Sequence, residues 1–162
     1  MAGRLERFWY WAGLGARLLV GGVWIAAGVL KLPDPAVSVR AVRAYQLLPE
    51  VVVPTVGYGL PILEIVVGAL LIVGLGLRVT AVISALLMVA FIIGIASAWA
   101  RGLQIECGCF GGGGGSADNA SAAYPWEIAR DTGLLILSAL LAIWPRTAFR
   151  LDSYLTLEQE PA

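Results

Sequence analysis

Four apolar stretches of about 20 residues dominate this chain, and they limit its possible folds more than any other feature. They lie at about 8–30, 51–73, 79–100 and 126–144. An α-helix of about 20 apolar residues is long enough to cross the hydrocarbon core of a lipid bilayer. Charged residues make up 14% of the chain, against about a quarter in a typical soluble domain. Because a soluble domain and a disordered chain both need more polar residues than this, we expect a membrane protein.

The order of the stretches predicts one all-α domain, an integral membrane four-helix bundle over residues 1–150, followed by a short tail at 151–162. The tight link at 74–78 contains two glycines and makes the second and third spans antiparallel neighbours. Residues 34–45 alternate apolar and polar positions at helical spacing, which predicts a short amphipathic extracytoplasmic helix between the first two spans. Aromatic residues near the span ends are typical of membrane interfaces, and they include Tyr10, Trp11, Trp99, Tyr124, Trp126 and Trp144.

Basic residues predict the orientation of the spans. Arg4 and Arg7 precede the first span, and Lys and Arg in short loops favour the cytoplasmic side. We therefore expect a protein of the inner (cell) membrane with both termini and the tail in the cytoplasm, and with the loops at 31–50 and 101–125 outside. The formal net charge is zero, so nothing favours nucleic acid as a partner.

The two cysteines form the one candidate chemical site. Cys107 and Cys109 follow the third span directly and are separated by one glycine, whose backbone tolerates the dihedral angles of a small disulfide ring. Strained, exposed disulfides are typically labile or catalytic, and a bridge that closes so short a loop adds little stability. The pair is therefore predicted to be redox-active in an oxidising compartment. Two alternatives stay open: a soft-metal port that a partner completes, and inert packing at the membrane interface.

Two charges fall inside predicted spans, where ionisable residues are costly and pair or serve function. At 1.5 Å of rise per residue, Arg17 and Glu64 lie at similar depths, roughly 13 and 14 Å from the cytoplasmic ends of their spans. We therefore expect an ion pair between Arg17 and Glu64. The pair either fixes the register of the two helices, or Glu64 serves as a proton-relay carboxylate.

Three further charged residues lie near the outer edge, beside the cysteines. Lys31 ends the first span, and Arg130 and Asp131 lie at the start of the fourth. A nearby cation favours thiolate over thiol, so Lys31 or Arg130 is a candidate for activating a cysteine. Extension of these long side chains toward the interface is the alternative.

Several of these residues recur in a pattern that resembles the MauE branch of the DoxX-like membrane proteins. The resemblance covers about residues 14–145, and its most specific part is Cys-Gly-Cys-Phe-Gly after the third span. The matching positions are Arg17, Gly28-x-x-Lys31-Leu32, Ala44-Tyr45-x-Leu47-Leu48-Pro49, Pro61-x-x-Glu64 and Cys107-Gly108-Cys109-Phe110-Gly111. Where the family pattern has Arg-Asn, this chain has Arg130-Asp131. The resemblance implies a four-helix membrane protein with a thioredoxin-like or other disulfide-exchanging partner.

The leading hypothesis is thus a membrane thiol–disulfide oxidoreductase with Cys107 and Cys109 as its catalytic pair. By architectural analogy with other four-helix disulfide-forming membrane proteins, quinone is the candidate small electron carrier, with Tyr45 and Arg130 as contacts. Lys31, Arg17, Glu64 and Asp131 are expected to support the site. The alternatives are a non-enzymatic membrane scaffold that docks a redox protein, and a soft-metal or ion-handling protein with Glu64 as its ion site.

Overall fold

The described part of the chain consists of helices and short connecting segments. A computed structural model describes residues 2–106 and 120–144, and these contain five helices and no β-strand. The helices are α1 (Ala2–Lys31), α2 (Pro35–Ala44), α3 (Val53–Val73), α4 (Leu77–Ala100) and α5 (Ala120–Ile143). The all-α prediction is confirmed.

Three of the helices are long and apolar enough to cross a membrane: Tyr10–Lys31 within α1, and the whole of α3 and α4. They agree with the first three predicted spans, so the chain is that of a membrane protein. The predicted fourth span lies within α5, which carries Glu127, Arg130 and Asp131 in its first half and is not among the three. The fourth span therefore stays a prediction.

Glycines allow α1 and α3 to pack closely. A Cβ atom built on Gly21 would lie 2.9 Å from the carbonyl oxygen of Gly68, and one built on Gly28 would lie 2.7 Å from that of Pro61. These distances are shorter than any real Cβ contact, so only glycine fits at either position. Small residues at such crossings let helix backbones approach within a membrane. The two contacts fix the antiparallel register of α1 and α3.

Polar side chains connect α1, α4 and α5 inside the protein. The indole nitrogen of Trp24 on α1 donates to the hydroxyl of Ser84 on α4 at 2.8 Å, and Ser84 shares a hydrogen bond of 2.9 Å with Ser138 on α5. Each of the three side chains is at most 1% exposed. Apolar residues of α1, α3, α4 and α5 form the surrounding core. The three hydrogen-bonding groups thus satisfy one another where water is excluded.

The short helix α2 confirms the prediction of an amphipathic helix between the first two spans, and its extracytoplasmic placement stays a prediction. The Asp34 carboxylate caps its first turn by accepting from the backbone nitrogen of Ala36. Its buried residues are Ser38, Val39 and Ala41, and a Cβ atom on Gly57 of α3 would lie 2.6 Å from the Cα atom of Val39. This contact holds α2 against the first turns of α3.

Candidate functional site

A buried ion pair joins the end of α1 to the middle of α3. The Lys31 ammonium lies 2.5 Å from Oε1 of Glu64, and the two side chains are 2% and 0% exposed. Side chains on a helix lean toward its N-terminus, so Lys31 reaches back from the last residue of α1 to the level of Glu64. The alternative in which Lys31 extends toward the membrane interface is therefore wrong.

The predicted ion pair between Arg17 and Glu64 is also wrong. The contacts of Gly28 with Pro61 and Ile65 place Glu64 level with residues 27–28 of α1, which are roughly 15 Å along the helix from Arg17. Arg17 instead donates to the carbonyl oxygen of Ile72 at 3.2 Å. The prediction counted depth from the ends of the apolar stretches, but the two helices pack in a register in which those ends are not level.

A second ion pair lies on α5. Arg130 Nη2 is 2.8 Å and Arg130 Nε 2.9 Å from Oδ1 of its neighbour Asp131. The Asp131 side chain is 3% exposed and that of Arg130 is 24% exposed. The sequence placed both residues near one edge of the protein, and the structure adds that they pair with each other.

Three members of these two pairs line one cavity. It has a volume of about 20 Å³ and is lined by Glu64, Arg130 and Asp131 together with apolar side chains and Trp24. Oε2 of Glu64 and Oδ2 of Asp131 are buried and have no hydrogen-bond partner among the described residues. The volume is sufficient for about one water molecule. Two carboxylates from different helices therefore line one small cavity in an apolar interior.

The structure shows the surroundings of each predicted quinone contact. Arg130 lines the cavity, whereas the Tyr45 ring lies against Gly94 on α4, where a Cβ atom would be 3.6 Å from its Cε1 atom. Arg101 donates to the Tyr45 carbonyl oxygen, which ties the end of α2 to the end of α4. A cavity that holds one water molecule does not fit a quinone ring, and quinone binding elsewhere on the protein stays a prediction.

Tyr124 holds the segment that leads to the cysteines. Its hydroxyl accepts from the backbone nitrogen of Ile105 at 3.0 Å. The carbonyl oxygens of Leu103 and Ile105 both lie 2.8 Å from the hydroxyl, which donates to one of them. The sequence placed Tyr124 among the interfacial aromatics, but it is only 1% exposed. The start of α5 therefore fixes the chain two residues before Cys107.

Cys107 and Cys109 lie outside the described residues. The described chain reaches residue 106 after the end of α4 and resumes at Ala120, where α5 begins. The antiparallel order of the helices puts the end of α4 and the start of α5 at the same end of the protein as α2, Lys31 and Tyr45. No group of three or more metal-ligating side chains occurs in 2–106 or 120–144.

Sequence reasoning missed two parts of this site. The hydrogen bonds among Trp24, Ser84 and Ser138 carry no sequence signal, since serines are common in membrane helices at helix contacts. The Tyr124 anchor could have been suspected because a tyrosine at the start of a span faces either the interface or a nearby backbone.

Comparison with known proteins gives one family: the family model described as methylamine utilisation protein MauE matches residues 9–145. No curated protein and no solved structure matched the chain.

Proposed function

The chain belongs to the MauE family, and from that premise we propose that it is a membrane thiol–disulfide oxidoreductase or redox-partner protein acting through Cys107 and Cys109. The observation that carries the proposal is the Tyr124 anchor, which holds residues 103 and 105 directly before the pair. The backbone before the pair is held by Tyr124, and five consecutive glycines follow the pair at 111–115. This combination suits a pair of cysteines that must meet a partner protein.

The proposed exchange is balanced between the chain and its partner. A thiolate of the pair attacks one sulfur of a partner disulfide, which forms a mixed disulfide and releases one partner thiolate. The second cysteine, as thiolate, attacks the mixed disulfide and releases the other partner thiolate. The cysteine pair is then oxidised and the partner has received two electrons. The same steps in reverse oxidise a partner dithiol, and a thioredoxin-like protein has the required chemistry.

The proposed topology places the pair outside the inner membrane. In this arrangement α5 is the fourth span, α1, α3, α4 and α5 form a four-helix bundle, and both termini are cytoplasmic. The hydrogen bonds from Trp24 to Ser84 and between Ser84 and Ser138 support α5 as a bundle member. The hydrogen bond from Arg78 to the carbonyl oxygen of Ala142 ties the other ends of α4 and α5 together.

Labelling of intact cells with a membrane-impermeant maleimide tests the location and redox state. We expect labelling only after mild reduction, and no labelling of a variant with both cysteines changed to serine. Labelling that requires opening of the membrane would contradict the outward placement. Labelling without reduction would contradict a disulfide in the resting protein.

Thiol exchange by the purified protein tests the chemistry. With the protein reduced beforehand and a disulfide-bonded fluorescent peptide as the probe, we expect Cys107→Ser and Cys109→Ser each to abolish complete reduction of the peptide, and the variant that retains the attacking cysteine to accumulate a mixed disulfide. Complete reduction of one peptide per chain by either single variant would contradict the two-thiol scheme. If the double variant still supports its partner in cells, the chain is a docking scaffold instead.

A further inference from the structure

The segment between α2 and α3 carries apolar side chains that the protein does not bury. Every residue from 46 to 52 is exposed. Val51 is 90% exposed, the largest value among the large apolar side chains of the described residues. The other large apolar residues exposed in this segment are Leu47, Leu48 and Val52. Exposed apolar side chains that cluster in this way are typical of a surface that contacts a partner or a membrane.

The backbone of the same segment is restrained at both ends. Nε of Arg43, in the last turn of α2, donates to Oε1 of Glu50 at 2.8 Å, which joins the helix to the far side of the segment. The backbone nitrogen of Gln46 donates to the carbonyl oxygen of Arg43, and that of Val52 donates to the carbonyl oxygen of Pro49, both at 3.0 Å. The apolar side chains therefore project from an ordered turn.

The length of α3 sets the depth of this segment in a bilayer. Helix α3 covers Val53–Val73, and at 1.5 Å per residue it is about 30 Å long, which equals the thickness of the hydrocarbon core. Its one charged residue, Glu64, is buried. At the opposite end the turn at 74–76 leads directly to Arg78. When α3 crosses the membrane, residues 47–52 therefore lie at the boundary between acyl chains and headgroups.

The apolar surface of the segment continues along α3. Val52 precedes the first residue of the helix, and Val56 lies one turn later on the same face. Both are exposed, as are Leu63 and Val66 further along this face. In a membrane-spanning helix such a face contacts lipid. The segment thus extends a lipid-facing surface by one turn, and the lipid that covers α3 is its nearest available partner.

Helix α2 does not supply this contact. Its buried residues include Val39, which packs against Gly57 of α3. Its exposed side carries Arg40 and Arg43, each paired with an acidic residue. A helix that lies on a membrane turns its apolar face to the lipid, whereas the apolar face of α2 is turned to α3. The segment that follows the helix is the part of this region with apolar side chains free to enter the lipid.

We propose that residues 47–52 form a membrane-interface anchor. Its four apolar side chains lie among the headgroups and upper acyl chains of the leaflet at this end of the protein, while the charged side of α2 faces water. The anchor fixes the depth of the first turn of α3. It does not depend on thiol exchange or on which side of the membrane this end lies. The four side chains are those of Leu47, Leu48, Val51 and Val52.

Spin labelling measures the depth of the segment. The full chain, with both cysteines changed to serine, receives Val51→Cys and a nitroxide label, and is reconstituted into vesicles of phosphatidylcholine and phosphatidylglycerol. Oxygen concentrates among acyl chains and a nickel chelate stays in water, so the ratio of their collision rates with the label rises with depth. We expect this ratio to be several-fold higher at position 51 than for Arg40→Cys on α2. It should stay below the ratio for Ile62→Cys, which is exposed in the middle of α3.

Three results would overturn the anchor. An equal ratio at positions 51 and 40 would place the segment in water. Low collision rates with both reagents at position 51 would mean that protein covers it. Spin–spin broadening at position 51 that disappears on dilution with unlabelled chain would assign the surface to contact between two copies. If Val51→Cys disturbs the protein, Leu47→Cys in the same segment allows the same comparison, and a water-like ratio there is equally decisive.

Discussion

The Lys31 ammonium and the Glu64 carboxylate form an ion pair of 2.5 Å between the last residue of α1 and the middle of α3, with both side chains shielded from solvent. The pair places a carboxylate at the cavity while the second oxygen of that carboxylate stays without a hydrogen-bond partner among the described residues. The ion pair therefore contributes to the register of α1 against α3, and it holds one of the charged side chains that line the cavity.

Removal of one member of this pair should be strongly destabilising. We expect Lys31→Met to lower the free energy of unfolding by about 3–5 kcal/mol, because a buried carboxylate loses its counter-charge. The double variant Lys31→Met with Glu64→Leu should recover most of that loss. Denaturant titration in mixed micelles measures both variants. Arg40→Gln, which breaks the exposed pair with Asp34, is the control, and an equal loss there would contradict the role of burial.

The glycine contacts between α1 and α3 can be tested with two adjacent residues. A Cβ atom on Gly21 would lie 2.9 Å from the Gly68 carbonyl oxygen, whereas one on Gly22 would meet nothing within 4 Å. We expect Gly21→Ala to destabilise the protein by about 1–3 kcal/mol through overpacking. Gly22→Ala should be neutral or stabilising by up to about 1 kcal/mol, because alanine favours the helix. Equal thermal midpoints for the two variants would contradict the observed crossing.

The Tyr124 hydroxyl should protect the backbone before the cysteines. Tyr124→Phe leaves the Ile105 amide without its acceptor, at a cost of about 1–3 kcal/mol. Hydrogen exchange at Ile105 should therefore accelerate by about tenfold or more, and thiol labelling of the reduced cysteines should change with it. Tyr58→Phe removes a hydroxyl from a side chain that is 53% exposed and serves as the control. Unchanged exchange at Ile105 in Tyr124→Phe would exclude the anchor.

The loop after α2 offers a pH measurement outside the spans. The hydrogen bond from Arg43 lowers the pKa of the Glu50 carboxyl below its ordinary value of 4.5. The pair therefore contributes its stability above the unfolded pKa of Glu50, and that contribution disappears as the pH falls through the lower folded value. NMR titration of carboxyl-labelled glutamate should show this low midpoint, and Arg43→Gln should return it toward 4.5. A midpoint that Arg43→Gln does not move would exclude the pair in solution.

The sequence by itself determined the helices and the family. Long apolar stretches leave few alternatives to a membrane helix, because every backbone group must be hydrogen-bonded within its own segment. The first three spans, the short helix α2 and the turn at 74–76 could therefore be predicted from local pattern alone. The resemblance carried by the spacing of Lys31, Glu64 and Cys107-Gly108-Cys109 agrees with the family match over 9–145.

Only the tertiary structure decided which charges meet. The partner of Glu64 depends on the register of α1 against α3, which the contacts of Gly21 and Gly28 set and which no count from the span ends can supply. The same holds for Tyr124, whose burial depends on how residues 103–105 return over the start of α5. Local pattern fixes where a helix lies in the sequence, but the packing of backbone against backbone fixes which side chains share one buried space.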